Sequence, residues 1–114
     1  MNIFVVASQF TEEPLYNPHR AFLSKEKAIK WAKSSRYIHK IVIFPFDVPN
    51  TWKDAIFSRP VIPAIYLAIW NTTSGVTFFP DSIACNREEV KEYINLLPES
   101  IKDSCSTYGL IVNR

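Results

Sequence analysis

Glycine is scarce, with two in 114 residues. That scarcity excludes a glycine-rich phosphate loop and leaves no long flexible linker. Histidine and cysteine also number two each. His19 and His39 stand on separate segments, and Cys85 and Cys105 lack metal-ligand spacing, so the sequence offers no metal site. The HExxH and GxSxG signatures are missing as well, and no catalytic residue is assigned. No cofactor is expected. No apolar run approaches the length of a membrane span, and no membrane association is expected. The run Ile3–Ala7 is too short for a signal-peptide core, has no basic leader and is followed by Glu12 and Glu13. The expected location is cytoplasmic, or the host cytoplasm for a viral protein. A reducing compartment argues against a disulfide.

What the chain does have is a 47% hydrophobic fraction, enough for one ordinary core, and a high aromatic fraction of 14%. Its length fits a single domain, 1–114. The net charge of +2 points to no partner, but its distribution is uneven. Residues 1–62 carry nine Lys/Arg and five Asp/Glu, hence 9 − 5 = +4, and residues 63–114 carry four and six, hence 4 − 6 = −2. Opposite signs in the two halves suit an internal match or a polar interaction surface.

The halves are also related in sequence. Residues 3–32 align with residues 65–94 at a constant offset of 62 and without a gap. Ile3/Ile65, Thr11/Thr73, Pro18/Pro80 and Glu26/Glu88 are identical, and Phe4/Tyr66, Val5/Leu67, Tyr16/Phe78, Ser24/Asn86 and Trp31/Tyr93 are conservative. Strand, loop, cap and helix signals all fall in register, which points to two repeats, 1–48 and 63–114, joined by a short helical linker, 49–62.

In chain order, residues 2–9 read as a buried strand and residues 11–23, with Pro14, Asn17 and Pro18, as a long connection. Ser24 is placed to cap a helix whose apolar stripe is Ala28, Ile29, Trp31 and Ala32 and which fades at Ser34 and Ser35. Residues 37–46 form a second strand, and Pro45 assigns it to a sheet edge. A short helix from about Thr51 to Phe57, capped by Asn50 or Thr51, stops before Pro60. Residues 63–70 form the third strand, with Val76–Phe79 as a short added strand. Asn86 caps a second long helix, with Glu89 at the capping-box position, and Pro98 ends it. Residues 99–106 hold one helical turn, and 108–112 form the last strand. The order β-α-β, β-α-β predicts a ferredoxin-like α+β fold: a four-stranded antiparallel sheet with two helices on one face. Strands one and three would be central neighbours.

Three surfaces are candidate binding sites. Loops 11–23 and 73–85 would emerge side by side and bring Tyr16, His19 and Arg20 near Phe78, Phe79 and Asp81. The sheet face opposite the helices would present Phe4, Tyr66 and Trp70. Aromatics on two central strands resemble the base-stacking platform of an RNA recognition motif. Strand three, AIYLAIW, lacks the Lys/Arg-Gly lead of that family. The outer face of the first long helix carries Lys25, Lys27, Lys30 and Lys33, followed by Arg36, with Glu26 as its sole acid. Such a face is commonly just solvated, but it also suits phosphate contact or an acidic protein patch. Cys85 aligns with Leu23 at a staple position and reads as a small buried hydrophobe.

The function favoured by this pattern is a small non-enzymatic binding protein that occupies a protein or ribonucleoprotein complex. In size and composition the chain resembles virus-encoded inhibitors of host defence systems, including anti-CRISPR proteins. That resemblance implies blockade of a host complex and rests on class-level analogy. A second reading is a single-stranded nucleic-acid binder using Phe4, Tyr66, Trp70 and the lysine-rich helix. A third is a small-molecule sensor or α/β-barrel enzyme that forms a homodimer over the sheet face.

Overall fold

A computed structural model describes residues 1–35, 40–58 and 62–114. The strands are β1 (Asn2–Gln9), β2 (Tyr16–Phe22), β3 (Lys40–Asp47), β4 (Ala64–Thr72), β5 (Gly75–Phe78) and β6 (Cys105–Asn113). The helices are α1 (Lys25–Ser34), α2 (Thr51–Phe57), α3 (Arg87–Asn95) and α4 (Glu99–Lys102), with a 3-10 turn at Pro80–Ser82. The result is a mixed α+β domain with one six-stranded sheet in the order β3-β1-β2-β6-β4-β5. The sheet curls over itself: the Tyr16 N–H on β2 donates to Thr77 Oγ1 on β5 at 3.0 Å, although β6 and β4 stand between those strands in the sheet order.

The ferredoxin-like arrangement is not what forms. β1 and β4 are separated by β2 and β6. The cause is segment 11–23, expected as a loop, which supplies β2 and takes the place beside β1 that the ferredoxin order reserves for the third strand. Val76–Phe79, expected as a short extra strand, fills the same role beside β4 as β5.

The two halves are wired alike. β1 lies between β3 and β2, and β4 lies between β6 and β5. Phe4 pairs with Phe22, and Tyr66 pairs with Ala84, so the offset of 62 holds on both strands. The copies differ around their aligned prolines. Near Pro18 the first ladder slips by one residue, between Val6 and Ala7. At Pro80 the second copy leaves the ladder for the 3-10 turn and rejoins it at Ala84. There Ser82 substitutes for a ladder step. Its hydroxyl accepts from the Ala68 N–H at 2.7 Å and donates to the Phe79 carbonyl at 2.6 Å. The halves join through two parallel pairs, Ala21↔Val112 and Phe22↔Asn113.

Strand alternation sorts the apolar residues into three layers. Ile3, Val5 and Ala7 face Ile65, Leu67, Leu110 and Phe78 in one core shared by both halves. Val6 and Phe22 pack under Ala28 and Trp31 of α1, and Ala68 and Ala84 pack under Val90 and Tyr93 of α3. α1 and α3 therefore each cover the outside of their own half.

Local signals set the helix ends. Ser24 Oγ accepts from the Lys27 N–H at 3.3 Å, and Asn86 Oδ1 accepts from the Glu89 N–H at 3.0 Å. Asn50 precedes α2 without a side-chain cap bond; its Oδ1 instead accepts from the Met1 ammonium at 3.0 Å. Pro45 lies on edge strand β3, as expected. The Val48 N–H donates to the Met1 carbonyl, which fixes the even-numbered β3 residues as those bonded to β1. Pro45 thus falls at an outward-facing position, where its missing N–H removes no ladder bond.

Candidate functional site

The aromatic loop cluster expected at one end of the sheet is divided among three places. Tyr16 and Phe78 are core residues whose rings flank Phe44 edge-on, at 5.0 and 5.2 Å. His19 lies on the α1 side, where its Nε2 is 2.6 Å from Ser8 Oγ and its ring is 6.3 Å from Trp31. Arg20, opposite Val6 on β2, is half-buried. Phe79 lies on the α3 side, stacked on Trp70 at 6.2 Å and tilted against Tyr93 at 5.8 Å. Asp81 is close to the same tyrosine. Burial, then the Asp81 carboxylate, then Cys105 raise the Tyr93 phenol above its ordinary pKa.

The Ser8–His19 contact has the composition of a nucleophile and its base. Ser8 is 0% exposed, however, and no substrate can reach its hydroxyl. The pair satisfies a buried polar group, and burial lowers the His19 pKa, which favours the neutral imidazole as partner. Among the described residues there is no group of three or more His, Cys, Asp or Glu that could hold a metal ion. Neither cysteine is in a disulfide, both are half-buried, and burial raises the Cys105 thiol. His39 lies outside the described residues.

The sheet-face platform is corrected by the layering. Alternation does group Phe4 with Tyr66 and Trp70, but this side lies beneath the helices. Phe4 packs toward Trp31 and Ala32 of α1. Tyr66 packs against α3 and carries the Arg87 guanidinium over its ring at 5.0 Å. Trp70 is stacked on Phe79. The opposite face, which the third reading assigned to a second subunit, is closed by the other half of the same chain.

Comparison with protein-family models, curated proteins and solved structures found no match.

The basic face of α1 is the expected surface that stays open. Lys25, Lys27, Lys30 and Lys33 are exposed, as is Glu26. Lys27 Nζ donates to the Arg114 carbonyl oxygen at 2.7 Å. Lys25, Lys30 and Lys33 make no ion pair among the described residues. Arg36 lies outside those residues. Grooves flank the helix. One, of about 520 Å³, is lined by Glu26, Ile29, Lys30, Lys33 and Ser34. The other, of about 260 Å³, has Phe22 and Trp31 as its floor and Lys27 and Lys30 on its wall. Apolar floors beneath exposed ammonium groups give a surface able to bury a partner's side chains while meeting its charge. No helix among the described residues is long and apolar enough to cross a membrane.

Proposed function

We propose that this chain is a non-enzymatic binding protein that occupies an acidic surface on a partner protein through the lysine face of α1. The observation that carries this reading is the exposed charge of Lys25, Lys30 and Lys33, which make no ion pair among the described residues, beside the apolar grooves. Lysines arranged in this way steer an acidic partner during encounter, and the floor supplies area to bury once it arrives. The acidic second half complements the picture: the same stripe on α3 carries Glu88, Glu89 and Glu92, so the two helices do not offer equivalent faces. Occupation of a host defence complex by a virus-encoded inhibitor is the specific form of this function that composition suggests.

The nucleic-acid reading is less well supported, because the aromatics meant to stack bases are packed beneath α1 and α3. Capture from lysate of the source or host cell distinguishes the two. The wild-type chain is expected to retain a protein saturably after nuclease treatment. K25E/K30E/K33E is expected to retain it about tenfold less well or worse. Equal capture by the variant overturns the assignment to α1. Loss of the captured material on nuclease treatment replaces the protein partner with nucleic acid.

A further inference from the structure

β6 joins its two neighbours very unequally. It pairs with β4 from Cys105 to Ile111, but with β2 only at Val112 and Asn113. The Asn71 N–H donates to the Ser104 carbonyl and the Val112 N–H donates to the Pro63 carbonyl, so the even-numbered β6 residues are those bonded to β4. The N–H and C=O groups of Cys105, Thr107 and Gly109 therefore point away from β4, beyond the last β2 pair, along an edge that no other described strand pairs with.

Free edges are commonly blunted by proline, charge or a bulge. β3 is treated that way: Pro45 occupies an outward position, and exposed Lys40 and Asp47 stand at its ends. The β6 edge reads Cys-Ser-Thr-Tyr-Gly, with neither proline nor charge. Beside it lies a groove of about 400 Å³ between strand and helix, lined by Lys91, Ile94 and Asn95 of α3 and by Cys105, Ser106 and Thr107. On the other face Tyr108 is 39% exposed, because the first half of the sheet does not extend over it.

We infer that the β6 edge and the α3 groove form a second binding site, which takes an extended peptide segment of a partner protein as an added strand. The peptide's backbone pairs with Cys105, Thr107 and Gly109. Its alternate side chains fall into the groove, one apolar against Ile94 and one carboxylate beside Lys91, the single charged residue among the described residues that line it. The site is distinct from the α1 face and its chemistry is different, since affinity comes from main-chain hydrogen bonds. A second copy of this chain fits the edge poorly. A two-fold axis at Thr107 sets Cys105 of one copy against Gly109 of the other. Ser104 and α4 of that copy would then run into the place where β2 joins β6 at Val112. A short peptide has no such flanks.

The test uses a phage-displayed library of random linear peptides, selected on the full chain. Enriched sequences are expected to alternate apolar and acidic positions. A synthetic enriched peptide is expected to slow amide exchange at Thr107 and Gly109. N-methylation of the peptide's alternate amides is expected to weaken binding about tenfold or more, without touching the protein. Thr107→Pro is expected to do the same while leaving the fold intact, because it removes an outward N–H as Pro45 does on β3. The inference is overturned by a library that yields no enriched peptide, by binding indifferent to N-methylation, or by protection at α1 or β3 instead. It is also overturned by a dimer in sedimentation whose Thr107 and Gly109 amides are protected without peptide. None of these outcomes bears on capture through α1, which is read with K25E/K30E/K33E.

Discussion

Replacing Ser82 with alanine should be disproportionately costly for the loss of one hydroxyl. Ser82 and Ala68 are both buried. The hydroxyl bridges the Ala68 N–H, at 2.7 Å, to the Phe79 carbonyl, at 2.6 Å, where the chain leaves β5 for the 3-10 turn. The Phe79 N–H still donates to the Ala68 carbonyl at 3.0 Å, so the direct ladder step is half made and Ser82 completes it. Ser82→Ala leaves a buried backbone donor without a partner, which costs about 1–3 kcal/mol. A value near 2 kcal/mol would lower the Tm by roughly 8 °C in a chain of this size. Urea unfolding followed by tryptophan fluorescence measures it. The midpoint should fall with the slope unchanged, while Ser74→Ala in the exposed β4–β5 turn should stay within about 0.5 kcal/mol of wild type. A Ser82→Ala cost under about 0.5 kcal/mol would show that Ala68 and Phe79 close the step directly, and would refute the bridging role.

Ile65→Ala, in the core shared by both halves, should cost about 2–5 kcal/mol by chemical denaturation; a cost near that of a surface change would contradict the shared core. Ser24→Ala and Asn86→Ala should each cost about 1 kcal/mol, and equal costs would support equivalent caps in the two copies. His19 has a folded-state pKa below its unfolded value near 6.5. The unfolded chain therefore binds the proton more readily, and this contribution is fully present above about pH 6.5 and lost as pH falls through the folded pKa. Stability measured from pH 7.5 to 5.5 should decline in the wild type and decline less in His19→Gln; parallel curves would remove His19 as the cause.

The helices were legible in the sequence because their signals are local. Ser24 and Asn86 cap where expected, α2 spans Thr51–Phe57 as expected, and α4 is the single turn anticipated after Pro98. The offset of 62 between the copies was legible too, and it survives as paired positions in the sheet. Strand β2 was not. YNPHRAF contains residues that disfavour strands, and the ladder slips by one residue where Pro18 lies opposite Ala7. Missing that strand exchanged the sheet order and inverted the two faces, so a correct alternation placed Phe4, Tyr66 and Trp70 on the wrong side. The Ser8–His19 pair depends on the unrecognised β1–β2 pairing and the open β6 edge on the sheet order, and no local pattern announces either. The lysine face of α1 needed only helical periodicity, which is why it was readable from sequence and remains open in the structure.

The most direct test of the account is lysine footprinting with an acetylating reagent, on the free chain and on the chain bound to its captured partner. Lys25, Lys30 and Lys33 should be modified when free and protected when bound, while Lys53 and Lys102 should react equally in both states. Unchanged reactivity of the α1 lysines in the complex would contradict the claim that this chain works by placing α1 on an acidic surface.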